Sequence, residues 1–191
     1  MWVATRLDIA RRWIAQHAPA GGWRPSRLSR TLFAERFGGT YEHSRWVAEA
    51  AHDAGLGPEA DTAEGLAKAM AAAVASGTPA QKRALIDAHP DLSGRLARAK
   101  RLTADSAREQ ASAGLDELTA EELDRFSALN EGYRAKFSFP FIMAVKGRNR
   151  QEIFDAFDRR LKNDEATETA TALEEIDRIA LLRLKDVLPA A

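Results

Sequence analysis

Apolar residues recur every three to four positions along most of the chain, which is the spacing of an amphipathic helix. Taken with its stop signals, this pattern predicts helices over about 5–16, 29–37, 44–54, 62–76, 79–88, 91–100, 103–115, 119–137, 150–162 and 164–187. Ser29, Thr62, Thr78 and Thr119 stand at predicted helix starts, where a short hydroxyl side chain can satisfy an orphan backbone N–H. Ala18-Pro19-Ala20-Gly21-Gly22 breaks the pattern, so residues 1–25 read as an N-terminal appendage or extra helix and 26–191 as the main domain. No internal repeat is visible. The expected fold class is all-α: a compact multi-helix domain with one short buried extended segment.

That segment is Phe137-Ser138-Phe139-Pro140-Phe141-Ile142-Met143-Ala144-Val145. Pro140 lacks an N–H and biases Phe139 away from helix. The surrounding apolar residues imply burial. A buried non-helical backbone must still place its N–H and C=O groups, and an all-helical protein has no sheet to receive them. Two readings stay open: a polar ligand lies against the segment, or neighbouring side chains satisfy it.

Composition agrees with helix. Alanine, leucine, arginine and glutamate dominate, and runs of β-branched residues are scarce. A length of 191 residues is enough for a core without staples. The chain has no cysteine, which excludes disulfides, thiolate metal sites and a cysteine nucleophile. Lys+Arg and Asp+Glu are both 28, so the basic excess of a nonspecific nucleic-acid binder is missing. No apolar run has the length of a membrane span, and the N-terminus does not read as a secretory signal. A cytoplasmic location is expected, with neither nucleic acid nor membrane as partner. HExxH, Gly-rich phosphate-loop and GxSxG motifs are all absent, so no metal or organic cofactor is expected.

Four features could carry chemistry. His89 sits between a predicted helix and Pro90, held outside helical geometry. Such a histidine can transfer protons near neutral pH, or simply interact with the helix C-terminus. Ser106, Glu109 and Gln110 share one helical face and offer a hydroxyl, a carboxylate and an amide suited to a urea-like or imide-like group. They also fit a capping box, and the apolar stripe opposite would turn them to solvent unless another element covers them. Arg183 falls inside the apolar arc formed by Leu173, Ile176, Ile179, Ala180, Leu184 and Val187. An arginine there needs an acceptor, either from the protein or from a substrate. Arg148 is a weaker second candidate. In Tyr41-Glu42-His43-Ser44-Arg45-Trp46, Glu42 and His43 could be catalytic, but Ser44 as an N-cap and Trp46 as core explain the motif more economically.

In order, the segments EHSRWV, AHPDL, LTADSAREQASAGL, LNEGYRAKFSFPFIMAVKGR and IALLRL resemble the 2-oxo-4-hydroxy-4-carboxy-5-ureidoimidazoline (OHCU) decarboxylases over about Leu28 to Leu188. The resemblance implies a compact all-helical homodimer. It also implies a carbon–carbon lyase of purine metabolism that forms (S)-allantoin at the last step of urate degradation, without a cofactor. Matched motif by motif, it places the catalytic histidine on His89, and Glu109 is taken with it as catalytic because it could tune that histidine. Substrate contacts fall on Pro90, on Ser106, Ala107, Arg108, Glu109 and Gln110, on Phe141, Ile142, Met143, Ala144 and Val145, and on Arg183. Three residues depart from the family pattern: Ser138 where glycine is common, Lys146 where arginine is common, and Arg45 for a frequent proline. The rival readings are a non-catalytic helical interaction module and a related ureide or purine-ring hydrolase.

Overall fold

The structure, a computed structural model, describes residues 23–90, 92 and 118–190. Among them lie seven α-helices: α1 (Arg30–Phe37), α2 (Arg45–Asp53), α3 (Ala63–Ser76), α4 (Pro79–Ala88), α5 (Ala120–Phe137), α6 (Arg150–Arg160) and α7 (Glu165–Lys185). Two 3₁₀ turns, Pro25–Arg27 and Pro58–Asp61, begin on prolines. The described residues contain no strand, and none of their helices is long and apolar enough to cross a membrane. The helices expected over 5–16, 91–100 (apart from Leu92) and 103–115 lie outside the described residues.

Local chemistry sets the starts. The Ser29, Thr62 and Asp164 side chains accept from the N–H groups of Leu32, Gly65 and Thr167. Thr78–Gln81, Thr119–Glu122 and Asn149–Glu152 form reciprocal capping boxes, each satisfying two orphan donors. Ser44 departs from expectation. It occupies the N-cap position of α2, but at φ −110° and ψ 56° its hydroxyl accepts no cap bond. α6 stops at Arg160 and α7 at Lys185, each two residues short of the predicted end.

The core is continuous. α1 buries Phe33 and Phe37, α3 buries Leu66, Met70 and Val74, and α7 buries Ala172, Ile176, Ile179, Ala180 and Leu184. α1 packs on α2 and α2 on α3, while α7 packs on both α3 and α4. The Ala63 N–H also donates to Pro189 C=O at 2.9 Å, tying the start of α3 to the chain beyond α7. Trp46, expected in the core, is half-buried and packs against its edge. α5 and α6 pair separately, with Phe126 edge-on to Phe154 and Phe157. The non-helical stretch after α5 joins these parts: Phe139, Phe141, Ile142, Met143, Ala144 and Val145 all belong to the common core.

Candidate active site

His89 is the C-cap of α4, with extended backbone at φ −76° and ψ 132°. Pro90 explains why the helix stops there, since the residue before proline avoids helical geometry. The imidazole is 3 % exposed, and its Nδ1 lies 2.8 Å from Leu85 C=O on the last turn of α4. A carbonyl can only accept, so Nδ1 carries the hydrogen. In the neutral ring the basic lone pair is then on Nε2. The contact with the helix end, one of the two readings of His89, is observed, and it fixes which ring nitrogen is left with the lone pair.

The extended segment answers the question of where its backbone bonds go. Arg160 Nη1 donates to Ile142 C=O at 2.6 Å, and Ala144 N–H donates to Glu175 Oε2 at 2.8 Å. Val145 C=O accepts from Arg148 N–H at 2.9 Å. Protein side chains thus claim the 142 and 144 groups. At the start of the segment, Arg83 of α4 donates to Ser138 C=O at 2.5 Å and lies over the Phe139 ring. The helix that ends at His89 thereby holds the entrance to the segment.

Behind the clamp is a buried polar hub. Glu168 of α7 is fully buried and accepts from Arg160 Nε at 2.8 Å, from Asn163 Nδ2 at 2.8 Å and from the Tyr133 hydroxyl. Arg160 Nη2 lies 2.6 Å from the same carboxylate, and the guanidinium covers the Phe141 ring, itself stacked on Phe157 at 3.7 Å. Burial, and then the bond to Glu168, push the Tyr133 phenol up from its ordinary value, so it stays a donor. Sequence reasoning missed Arg160, Glu168 and Glu175. A signal for Arg160 was available: it continues the apolar stripe Ile153, Ala156, Phe157 of α6, the same anomaly that marked Arg183.

Arg183 is partnered within the protein. Nη1 donates to Thr40 C=O at 3.0 Å and Nη2 to Glu42 Oε1 at 2.5 Å, with about one-fifth of each charged side chain still exposed. Glu42, read from sequence as part of a packed helix start, is thus tied to a proposed site residue. Arg148 forms an i,i+4 pair with Glu152 at 3.4 Å. It also lines a cavity of about 400 Å³ beside Met143 and Arg160. The cavity's lining includes Arg160 and Glu175, the two side chains of the clamp, so the cavity lies on the clamp side of the segment. Ser106, Ala107, Arg108, Glu109 and Gln110 lie outside the described residues.

The comparisons decide the family. Residues 26–185 match the family model described as OHCU decarboxylase. The chain belongs to the OHCU decarboxylase family. Among curated OHCU decarboxylases, that of Haloferax volcanii is 42 % identical over 161 residues, covering 84 % of this chain and 92 % of that one. The uric acid degradation bifunctional protein of a Bacillus species is 37 % identical over 85 % of this chain, but this chain spans only 31 % of its length. Among solved structures, an (S)-allantoin synthase superposes with a TM-score of 0.68 at 32 % identity, covering 86 % of this chain and about half (52 %) of that chain. An OHCU decarboxylase crystallised in the presence of (S)-allantoin shares the fold, at a TM-score of 0.57 and 22 % identity over 74 % of this chain and 89 % of that one.

Proposed function

We propose that this protein is a carbon–carbon lyase that converts OHCU to (S)-allantoin and carbon dioxide in urate degradation, working as a cytoplasmic homodimer. The observation that carries the mechanism is the Leu85–His89 bond, which points the reaction at Nε2. The substrate carries a carboxylate and a hydroxyl on one ring carbon, beside an imine. When the carbon–carboxylate bond breaks, its electron pair enters the imine, so the substrate is its own electron sink and no organic cofactor is required. The protein has to orient the ring, stabilise developing charge and move protons.

His89 exchanges a proton with the substrate hydroxyl or ring nitrogen through Nε2. Glu109 and Gln110, with Ser106, bind the ureido and ring N–H groups, and Glu109 tunes His89. Backbone groups of Phe141–Val145 that the clamp leaves unclaimed hold ring carbonyls, and Arg183 holds a substrate oxygen. A fixed pose delivers the final proton to one face, which makes the product (S).

The test is His89→Asn. Asparagine can still donate to Leu85 C=O, so the helix end is preserved, but it has no nitrogen at the Nε2 position. Folding should persist while kcat falls by about 10²–10⁴. Unchanged rate and stereochemistry with freshly generated substrate would reject His89 as the proton-transfer residue.

A further inference from the structure

Three consecutive residues ahead of α2 are fastened to α7. Thr40 C=O and Glu42 Oε1 both accept from Arg183, at 3.0 and 2.5 Å, and between them the buried Tyr41 hydroxyl donates to Asp177 Oδ1 at 2.7 Å. His43, directly after, has φ +29°, a left-handed value that a non-glycine residue keeps only where its surroundings over-determine it. The loop is therefore anchored for a reason beyond starting a helix. Its effect falls on Arg183. A guanidinium has five N–H donors in one plane, and the loop takes two of them. It also places a carboxylate against the cation, in a pair that still has about one-fifth of each side chain exposed.

That pairing bears on which part of the substrate Arg183 receives. An unpaired arginine facing OHCU would bind its carboxylate, the strongest anion present. That contact would work against the reaction. Negative charge leaves the carboxylate as the carbon–carbon bond breaks, so a cation held there stabilises the ground state more than the transition state. A carbonyl oxygen behaves oppositely. The 2-oxo oxygen is conjugated with the imine nitrogen that takes up the electron pair, and it gains charge as the bond breaks.

We propose that Glu42 is the positioning residue of Arg183, and that the pair acts as an oriented donor fork of low net charge for the substrate's 2-oxo oxygen rather than as a counter-ion for its departing carboxylate. The proposal rests on the reading that Arg183 touches substrate. It adds which oxygen is chosen and what makes the choice.

Two competitive inhibitors test it: (S)-allantoin, neutral and bearing the ring carbonyls, and allantoate, a ureide carboxylate. The wild-type enzyme should not prefer allantoate. Glu42→Gln keeps the size and one acceptor but removes the charge. It should tighten allantoate by about tenfold, leave allantoin within about threefold and lower kcat by about tenfold. Glu42→Asp, which keeps the charge, should retain the wild-type ranking, and Arg183→Met should abolish the anion gain when combined with Glu42→Gln. A wild-type preference for allantoate, or an unchanged inhibitor ratio in Glu42→Gln, overturns the proposal. The wild-type ranking decides the matter even if Glu42→Gln does not fold. An Arg183→Met enzyme with normal kcat/KM would instead remove Arg183 from the site reading on which the proposal stands.

Discussion

His89 and Leu85 are joined across the last turn of α4 by a 2.8 Å contact between Nδ1 and a backbone carbonyl. The bond should be visible as a tautomer. Nitrogen NMR of the neutral enzyme should give His89 a protonated Nδ1 and a lone-pair-bearing Nε2. The reverse assignment would put the hydrogen on the wrong nitrogen for the mechanism above.

Glu168 and Arg160 form an ion pair with almost no exposure, and the pair positions Ile142. Glu168→Leu leaves Arg160 as a buried unpaired cation and removes the acceptor of Tyr133. The expected loss is about 3–5 kcal/mol in denaturant unfolding. A variant that replaces both charges with apolar residues should recover part of that stability and still bind substrate poorly, because the Ile142 carbonyl has lost its donor. Equal damage in single and double variants would show that the charge left behind is not the cause.

Ser138 is the C-cap of α5 in left-handed geometry, at φ 58° and ψ 22°, and it is exposed. This explains physically why glycine is common at the matching family position. Ser138→Gly should raise stability by about 0.5–1 kcal/mol, the relieved left-handed strain outweighing the added freedom of the unfolded chain. The Arg83 bond is to the backbone and is retained. A lower melting temperature would contradict this account.

Asp177 has its carboxyl raised above the ordinary 3.8, chiefly by burial and further by Glu174, with the Tyr41 bond opposing. Between 3.8 and its raised folded-state value the native protein holds more protons at this site than the unfolded chain. Its contribution to stability therefore falls as pH rises through that window and stays low above it. Asp177→Asn can still accept from Tyr41 and should gain on the wild type as pH rises, then level off. Asp164, lowered mainly by the Thr167 backbone N–H it caps, has the opposite sign: its stabilisation is lost as pH falls. Melts of Asp177→Asn and Asp164→Asn across the acid range separate the two effects.

Much of the fold was legible because its signals are local. Thr78, Thr119 and Ser29 announce helix starts through their own hydroxyls, and Pro90 and Pro140 announce breaks through their own rings. The candidate site was legible where a residue violates its local pattern, as His89 and Arg183 do. Glu168 and Glu175 were not, and Glu42 was noted but set aside as part of a packed helix start, because a glutamate's role on a helix or loop is hidden until its partner is known. Those partners lie far along the chain: Tyr133 for Glu168, Ala144 for Glu175, Arg183 for Glu42. Ser44 shows the converse, a good capping residue whose backbone does not adopt the capping geometry.

The carboxylate of Glu168 gathers side chains from α5, α6 and the turn before α7, and through Arg160 it reaches the segment proposed to hold the substrate ring. The frame of the molecule and this proposed recognition surface therefore cannot vary independently. Selection for a new ring substrate would find few acceptable single changes at Arg160 or Tyr133, since each would loosen the fold before it reshaped the site. Divergence in substrate choice is channelled instead toward residues outside the hub, with Glu42 and its loop the most accessible of them.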